Sequence, residues 1–495
     1  MNRSRFSTRL AALLLSAVIL CPLAASCADN SNKKGADTSA AVTDNGGEVS
    51  TDRLYADVPK KNFDGYEFNA LYWYVSGWDW RKSKDIVAEE NSADTIIESV
   101  YKRNLTISEN YNITFKLTEV DSGQLNTQLH KNVIADDDVF TIVCQRQLDI
   151  LNPIMNGDLK NIRAIPYVDL TKPWWDQNSV ENYSLANRVY LVASDITIND
   201  KDGTAAVAFN KQAATDNHLP DLYEMAQNGT WTVDALYNSY KDSAKDLDGN
   251  SKMNEKDFFG FIGGRDVTTS FFSGSGAKII SKDENDIPTL SIMNDRNVEV
   301  LQRLFDLTSQ TDNFYNMHQR GIDDATFRKL FEEGHGLYHW IRLDSVSAMR
   351  ASETEFGILP IPKYNEEQNR YYCVVSVYTS SLMSVPSNVR DPERTGILLE
   401  ALATESKYTL MHAYYDVALK SKYSRDEESS AMLDIIIGNR VFDVGDVLNP
   451  GGLRDFVLGM SLQKSNTFVS SYKKLEKAAE KSLNTLITKI EKLPE

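Results

Sequence analysis

Residues 246–257 have the oxygen-bearing side chains and the spacing of a twelve-residue calcium loop. Such a loop surrounds one hard cation with oxygens from positions 1, 3, 5, 9 and 12 and with a backbone carbonyl at position 7. Two positions depart from the pattern, because Ser251 replaces the usual turn glycine and Asp257 replaces the longer glutamate. The alternative is a polar turn between two helices. We expect a structural Ca²⁺, with the ligands Asp246, Asp248, Asn250, Lys252 (through its carbonyl), Asn254 and Asp257.

A second group of residues has the chemistry of a carbohydrate site. Pyranose rings stack their C–H faces on flat aromatic side chains, while their hydroxyls need fixed donors and acceptors. Trp78, Asp79 and Trp80 supply this mixture where a predicted strand gives way to a polar turn. Trp175 is a further candidate, since on an extended segment only one of Trp174 and Trp175 can point inward. The alternative for each tryptophan is packing in the core.

Two polar residues follow a short apolar run that is typical of a buried strand. Gln145 and Arg146 come directly after residues 139–144. Ligands bind at the carboxyl ends of strands in open α/β sheets, so both residues are candidate ligand contacts. An arginine there can bind a carboxylate or hydroxyls with two donors, although a surface salt bridge is the more usual role.

Catalytic and nucleic-acid functions find little support. His335 and His339 have metal-ligand spacing for a helix, but the residues between them lack the glutamate of a zinc protease. We find neither a Gly-x-Ser-x-Gly elbow nor a phosphate loop, and we expect a binding protein that is not an enzyme. The net charge of −17 gives no basic surface for nucleic acid. Cys144 and Cys373 lie in apolar runs and are predicted to be buried thiols.

The N-terminus reads as an export signal. Three arginines precede an apolar run at residues 10–20, and small residues then lead to Cys27. A cysteine in this place resembles the bacterial lipobox, in which it carries the lipid that anchors the mature chain to the membrane. The alternative is an ordinary signal peptide that is cut near Ser26. Residues 27–52 are polar and are predicted to form a disordered linker.

Strands and helices alternate through the remaining sequence. Alternating apolar residues predict strands at 66–75 and 113–120, and helical spacing predicts a helix at 92–111 between them. Another strand is predicted at 374–385. The last third is mostly helical, ending in a helix over 470–493. This order favours an α/β fold with helices on both faces of its sheets.

The order of these segments resembles that of extracellular solute-binding lipoproteins that serve ABC importers of sugars and oligosaccharides. The resemblance covers the mature chain and is carried by segments such as ADTIIESVYKRNLTISENYNITF, VDLTKPWWDQNSVENYSLANRVYLVASDI and EFGILPIPKYNEEQNRYY. It implies a two-lobe, type II periplasmic-binding-protein fold with a hinge and a cleft between the lobes. The implied divisions are a signal peptide (1–26), an anchored linker (27–52), lobe 1 (53–194), lobe 2 (195–335), a return to lobe 1 (336–375) and a helical C-terminal part of lobe 2 (376–495).

The crossings that the resemblance implies add four candidate cleft residues. Asp195 lies at the first crossing, Trp340 and Arg342 lie at the return, and Tyr378 follows the third crossing. The implied function is to capture a carbohydrate by lobe closure and to deliver it to separate ABC permease subunits. A receptor for peptides or other polar solutes, and a cell-surface enzyme acting on glycans, remain the alternatives.

Overall fold

The computed structural model describes residues 53–77, 82–423 and 427–493. Leu54–Glu495 form one compact unit. The predicted signal peptide, Cys27 and the linker lie outside the described residues, as do Trp78, Asp79 and Trp80. Within the described ranges, none of the helices is both long enough and apolar enough to cross a membrane.

Most strands of the described residues belong to two sheets. Because apolar residues alternate or run continuously in these segments, the strands bury one or both faces. Their bounds are β1 (Tyr66–Tyr74), β2 (Ile113–Asp121), β3 (Ile142–Arg146), β4 (Ser184–Leu185), β5 (Arg188–Val189), β6 (Ala205–Asn210), β7 (Phe259–Gly263), β8 (Ile280–Lys282), β9 (Pro288–Leu290), β10 (Phe314–Asn316), β11 (Gly336–Arg342), β12 (Phe356–Leu359), β13 (Cys373–Val374), β14 (Ser381–Ser384) and β15 (Arg440–Val441).

The helices cover both sheets and make up most of the C-terminal third. The first long helix illustrates how the sequence sets the ends of a helix. At its start, the Asp94 carboxylate accepts the backbone N–H of Ile96 at 2.8 Å. At its end, Asn112 adopts the left-handed conformation. Helices α1–α9 are α1 (Thr95–Tyr111), α2 (Ser122–Ala135), α3 (Leu151–Asn156), α4 (Gln177–Asn182), α5 (Asn199–Asp202), α6 (Lys211–Asp216), α7 (Leu222–Gln227), α8 (Val233–Tyr240) and α9 (Asp266–Gly274).

The remaining helices follow from residue 295 onward. A π-helical segment, Ala413–Tyr423, lies between α15 and α16. The helices are α10 (Asp295–Thr308), α11 (Met317–Arg320), α12 (Asp324–Glu332), α13 (Leu343–Ala348), α14 (Pro392–Tyr408), α15 (Leu410–His412), α16 (Glu427–Gly438), α17 (Val444–Leu448), α18 (Leu453–Gly459) and α19 (Phe468–Ile490).

Each large sheet combines parallel and antiparallel strand pairs. The first sheet has the order β14-β3-β1-β2, in which β14 alone runs antiparallel to its neighbour. The second has the order β10-β7-β11-β6-β12, where β6 runs antiparallel to both β11 and β12. Two sheets of this kind with helices packed around them are the predicted two-lobe α/β fold.

The strand pairing corrects two of the predicted divisions. Residues 336–375 were expected to return to the first lobe, but β11 lies between β7 and β6, and β12 pairs with β6. The chain instead returns later, since β14 pairs with β3 in the first sheet. The C-terminal part is therefore shared between the lobes: α14 packs on α1, whereas α16 packs on β12 and α18 on α9.

The first crossing falls between the last bridge to the first sheet and β6. Val192 bridges to Met383 of β14, and Ala205 begins β6 in the second sheet. The predicted crossing at residue 195 lies within this interval. The predicted strand at 374–385 is instead two short strands, because residues 375–380 turn between the sheets.

Candidate functional site

A cavity of about 480 Å³ lies between elements of the two sheets, and we call it the Trp340 cavity. The first half of the fold contributes Ile96 at the start of α1. The second half contributes residues that follow the parallel strands β7, β10 and β11. Since parallel strands end at the same edge of a sheet, their carboxyl ends converge on one side of the cavity. The polar and aromatic residues that line it are Lys84, Asp202, Asp266, Phe327, Arg328, His339, Trp340, Arg342, Asp344, Ser345, Ser347 and Tyr414.

Trp340 and Arg342 come to this cavity from the end of β11. The indole N–H of Trp340 donates to Ser270 Oγ at 3.2 Å, which fixes the ring, and the side chain is 7% exposed. The guanidinium of Arg342 lies 5.9 Å from the centre of the Trp340 ring. The structure thus brings two of the predicted ligand residues together, on a rigid strand.

The arginines that line the cavity already have carboxylate neighbours. Arg342 Nε lies 3.4 Å from Asp344 Oδ2, and Arg328 Nε lies 3.2 Å from Glu332 Oε1. In each pair a guanidinium lies beside a carboxylate, so the pair offers both hydrogen-bond donors and acceptors and carries little net charge. Such a surface suits a ligand that both donates and accepts hydrogen bonds.

His339 is a neutral acceptor at the wall of the same cavity. Its Nδ1 lies 3.3 Å from the Ile262 carbonyl, which only accepts, so the proton sits on Nδ1 and Nε2 keeps its lone pair. Burial lowers the pKa of His339 to about 3, which keeps the imidazole neutral at physiological pH. The side chain packs against Phe327 and Phe331 on α12. Because His339 lies on a strand, the helical metal pair with His335 does not form.

Tyr378 lies at an adjoining small space rather than in the Trp340 cavity itself. A pocket of about 20 Å³ is lined by Tyr378 and Arg454 and shares Trp340 and Asp266 with the larger cavity. Burial raises the pKa of Tyr378 to about 12, and the Arg454 guanidinium lies 5.3 Å from its ring centre. Tyr378 therefore shares a small pocket with Trp340 but does not line the Trp340 cavity.

Trp175 has a structural role in this fold, and the expectation that only one of the adjacent tryptophans points inward is wrong. Trp174 and Trp175 are 0% and 1% exposed. Their indole N–H groups donate to the two carboxylate oxygens of Glu400, at 2.9 Å and 3.0 Å. The segment is turned rather than extended here, with Trp175 N bonded to the Lys172 carbonyl, so both rings enter the core.

Gln145 and Arg146 end β3, as predicted, but they contact protein groups outside the Trp340 cavity. Gln145 is 1% exposed, and its Nε2 donates to Ser384 Oγ at 3.2 Å because β14 covers this edge. Arg146 Nε donates to Asp149 Oδ2 at 2.7 Å, and its guanidinium lies 5.4 Å from the Trp73 ring centre.

Asp195 lines a different cavity, of about 440 Å³, which we call the Asp195 cavity. It lies where the first crossing meets α14, α15 and the π-helical segment. Burial raises the pKa of Asp195, although the nearby ammonium groups of Lys201 and Lys407 act to lower it. Tyr414 lines both this cavity and the Trp340 cavity.

In the loop predicted to bind calcium, three of the proposed ligands lie close together. One carboxylate oxygen from each of Asp246, Asp248 and Asp257 lies within 4.8 Å of the others. Ser251 has a φ of 62°, so it adopts the left-handed turn that glycine usually makes at this position. Asp246 Oδ2 accepts the backbone N–H of Ser251 at 2.7 Å, and Asn250 Oδ1 accepts that of Lys252 at 2.8 Å.

Asp257 closes the loop from a buried position. Its carboxylate accepts the backbone N–H groups of Leu247 at 2.8 Å and Asn254 at 2.7 Å. Burial acts to raise the pKa of Asp257, but these backbone bonds outweigh it and the pKa is lowered. The donor set of carboxylate, amide and carbonyl oxygens fits a hard divalent cation.

Sequence reasoning missed several residues of the Trp340 cavity. Asp266, Asp202, Arg328, His339 and Tyr414 were not predicted to face the ligand. Asp266 could have been found from the neighbouring sequence, because it follows strand β7 and a pair of glycines at which there is little room for a Cβ atom. His339 is the neighbour of Trp340 on β11, whereas Asp202, Arg328 and Tyr414 reach the cavity only through the packing of α5, α12 and the π-helical segment.

Comparisons with known proteins identify the fold. No protein-family profile matches the chain, and no curated protein matches its sequence. Solved structures do match, among them a cyclic α-maltosyl-1,6-maltose binding protein from Arthrobacter globiformis, with a TM-score of 0.55 and 12% identity over 86% of this chain and 99% of that one. The UgpB protein of Mycobacterium tuberculosis, in complex with glycerophosphocholine, has a TM-score of 0.55 and 14% identity over the same shares. An ABC substrate-binding protein from Listeria monocytogenes, in complex with cycloalternan, has a TM-score of 0.52 and 11% identity over 86% and 100% of the chains. The chain therefore has the fold of ABC substrate-binding proteins.

Proposed function

We propose that the chain is an extracellular solute-binding protein that captures a carbohydrate in the Trp340 cavity and delivers it to an ABC permease. The observation that carries this proposal is the cavity itself, which lies between the two sheets and combines one fixed tryptophan with paired arginines and carboxylates. The aromatic ring suits the C–H face of a sugar, and the pairs suit its hydroxyls. The similar structures bind oligosaccharides in several cases, which supports the choice of ligand.

Capture would proceed by closure of the two lobes around the solute. A ligand shifts such an equilibrium only by the contacts that it gains in the closed state, so both lobes must contribute groups. Lys84 and Ile96 from the first half, and Trp340 and Arg342 from the second, already face one cavity. The segments that would act as hinges are the crossings at residues 195–204 and 375–380.

Calorimetric titration with sugars of defined length tests the proposal. We expect maltotetraose or another oligosaccharide to bind one to one, and Trp340→Ala to weaken binding about thirtyfold, since burying an aromatic face contributes about 2 kcal/mol. Trp231→Phe is the matched control, because Trp231 is fully buried in the second lobe and does not line the cavity. Binding of peptides alone would favour a receptor for other polar solutes, and hydrolysis of the sugar would favour the glycan-active enzyme.

The proposed location is the outer face of the cell membrane, with the lipid on Cys27. The support is the sequence pattern of the first 27 residues, together with the fold of the body. Labelling cells with a radioactive fatty acid tests this directly. We expect label on the chain and its loss in Cys27→Ser, and release of an unlabelled chain from wild-type cells would instead indicate an ordinary signal peptide.

We further propose that the loop at 246–257 binds Ca²⁺ and that the ion has a structural role. The three clustered carboxylates and the left-handed Ser251 support it. The ion would join the two ends of the loop, which stand next to the paired residues Lys245 and Phe258. The loop precedes strand β7, whereas Gly264 and Asp266 of the Trp340 cavity follow the other end of that strand, and no residue of the loop lines the cavity. We therefore expect the ion to change stability more than ligand affinity.

A further inference from the structure

The Asp195 cavity has the properties of a second ligand site. Its volume is about 440 Å³, close to that of the Trp340 cavity, and nothing in the proposed transport function uses it. Charged and aromatic side chains from three parts of the chain meet in it. Those that matter here are Asp195, Lys201, Lys407, Tyr408, Tyr415 and Arg440.

The Asp195 carboxylate lacks hydrogen-bond donors from the described residues. Its side chain is 17% exposed, and the nearest ammonium groups are Lys201 Nζ at 3.9 Å and Lys407 Nζ at 4.0 Å. Both distances exceed hydrogen-bonding range, and no backbone N–H reaches either oxygen among the described residues. A carboxylate that faces a cavity and receives no hydrogen bond from the protein can accept one from a ligand.

The other buried charges of the cavity cannot supply those donors. Lys201 Nζ donates to the carbonyls of Ser194 at 2.6 Å and Thr197 at 2.9 Å, and to Asp200 Oδ1 at 3.2 Å. Arg440 donates to Asp200 Oδ2 at 2.7 Å and also contacts Asp176. Three bonds saturate the ammonium of Lys201, so it cannot approach Asp195. Lys407 is more exposed, at 34%, and is the one cation of the set with freedom to reach a ligand.

The walls of the cavity suit the carbon skeleton of a sugar or polyol. The hydroxyls of Tyr414 and Tyr415 are engaged elsewhere, with Asp202 and Asp434 respectively. Their rings, together with Tyr408 and Met411, therefore present mainly apolar surface to the cavity. Because the Asp195 carboxylate lies within 4.0 Å of both ammonium groups, the opposite charges largely offset each other, and the cavity favours neither a net anion nor a net cation.

We propose that the Asp195 cavity is a second solute site, for one uncharged polyhydroxylated molecule of about monosaccharide size. A hydroxyl of the ligand donates a hydrogen bond to the Asp195 carboxylate and accepts one from the Lys407 ammonium. The hydroxyl thereby bridges these two groups, which lie 4.0 Å apart. The site is distinct from the Trp340 cavity but lies beside it. Helix α5 contributes Lys201 to one cavity and Asp202 to the other, and Tyr414 lines both.

Equilibrium dialysis of the mature protein, residues 27–495, with labelled D-glucose and ribitol tests this proposal. The measurement is made in the Trp340→Ala background, so that the failure of one site is distinguishable from the failure of the other. We expect one molecule of at least one probe to bind at millimolar concentration. Adding Asp195→Ala should weaken binding about tenfold or more, the effect of losing a hydrogen bond to a charged group.

Two further variants keep the test independent of folding defects at Asp195. Met411→Trp fills the cavity with a larger side chain and should abolish binding, while Lys407→Met should weaken it with the cavity unobstructed. Each variant is first checked for an unchanged thermal transition. The proposal is overturned if neither probe binds to Trp340→Ala, or if binding survives Met411→Trp unchanged. Binding that responds to none of the three substitutions would also exclude this cavity.

Discussion

The carboxylate of Glu400, held between two buried tryptophans, should make the stability of the protein fall as the pH rises from about 4.5 to about 7. Trp174 and Trp175 each donate one indole N–H to it, but no cation compensates its charge among the described residues. Burial therefore raises the pKa of Glu400 from 4.5 to about 7, despite the two indole bonds that act to lower it. The folded state keeps a proton that the unfolded chain has already lost.

The magnitude follows from the difference between the two pKa values. Below pH 4.5 both states are protonated, and above pH 7 both are ionised, so the change is confined to the interval between them. At about 1.4 kcal/mol per unit, the free energy of unfolding falls by at most about 3.5 kcal/mol across that interval. Glu400→Gln reproduces the shape of the protonated acid without its titration. The stability advantage of the variant over the wild type should be small at pH 5 and should reach its full size by pH 8.

Urea unfolding at fixed ionic strength, followed at pH 5, 6, 7 and 8, measures this difference. Other buried acids also contribute to the wild-type profile, so the quantity to compare is the gap between variant and wild type at each pH. Glu480→Gln, at an exposed position of α19, is the control and should leave the gap near zero throughout. A gap for Glu400→Gln that stays constant from pH 5 to pH 8 would refute the reasoning.

Three further predictions concern other parts of the fold. Ca²⁺ should raise the thermal midpoint of the wild type and have no effect on Asp248→Asn, as differential scanning calorimetry with Ca²⁺ or chelator would show; an equal rise in both would exclude this loop. Arg440→Ala should cost about 3 kcal/mol in urea unfolding because it removes the guanidinium that pairs with buried Asp200 and partly buried Asp176 and leaves Asp200 with Lys201 alone, and a cost below about 1 kcal/mol would contradict the pairing. Cys144 and Cys373 are buried with raised pKa values, so a thiol reagent should react with both only after denaturation; rapid reaction of the native protein would show that a thiol is accessible.

The predicted local elements agree with the structure where a segment has a strong periodicity of its own. The predicted strand at 113–120 is β2, and the predicted terminal helix at 470–493 is α19 within a few residues. The clustering of the Asp246, Asp248 and Asp257 carboxylates is equally local, while calcium binding by this loop stays a prediction. Its ligands and its turn lie within one twelve-residue stretch, so the spacing alone specifies which side chains meet.

Pairing between distant segments could not be read from any one segment. The sequence alone does not say that β11 lies between β7 and β6, because a buried strand has the same apolar pattern in either sheet. The same limit applies to the site. Trp340 and Arg342 were predicted to face the ligand, whereas Asp202, Arg328 and Tyr414 join them only because three separate helical segments pack around one cavity.

The sequence by itself determined the fold class, the helices and strands with clear periodicity, and the loop with oxygen ligands, since each depends on residues close together in the chain. Tertiary structure alone decided that both Trp174 and Trp175 are buried against Glu400, and that Asp195 faces a cavity of its own. The physical reason is that the burial and orientation of a side chain depend on its spatial neighbours. Those neighbours are more than 200 residues away in the case of Glu400.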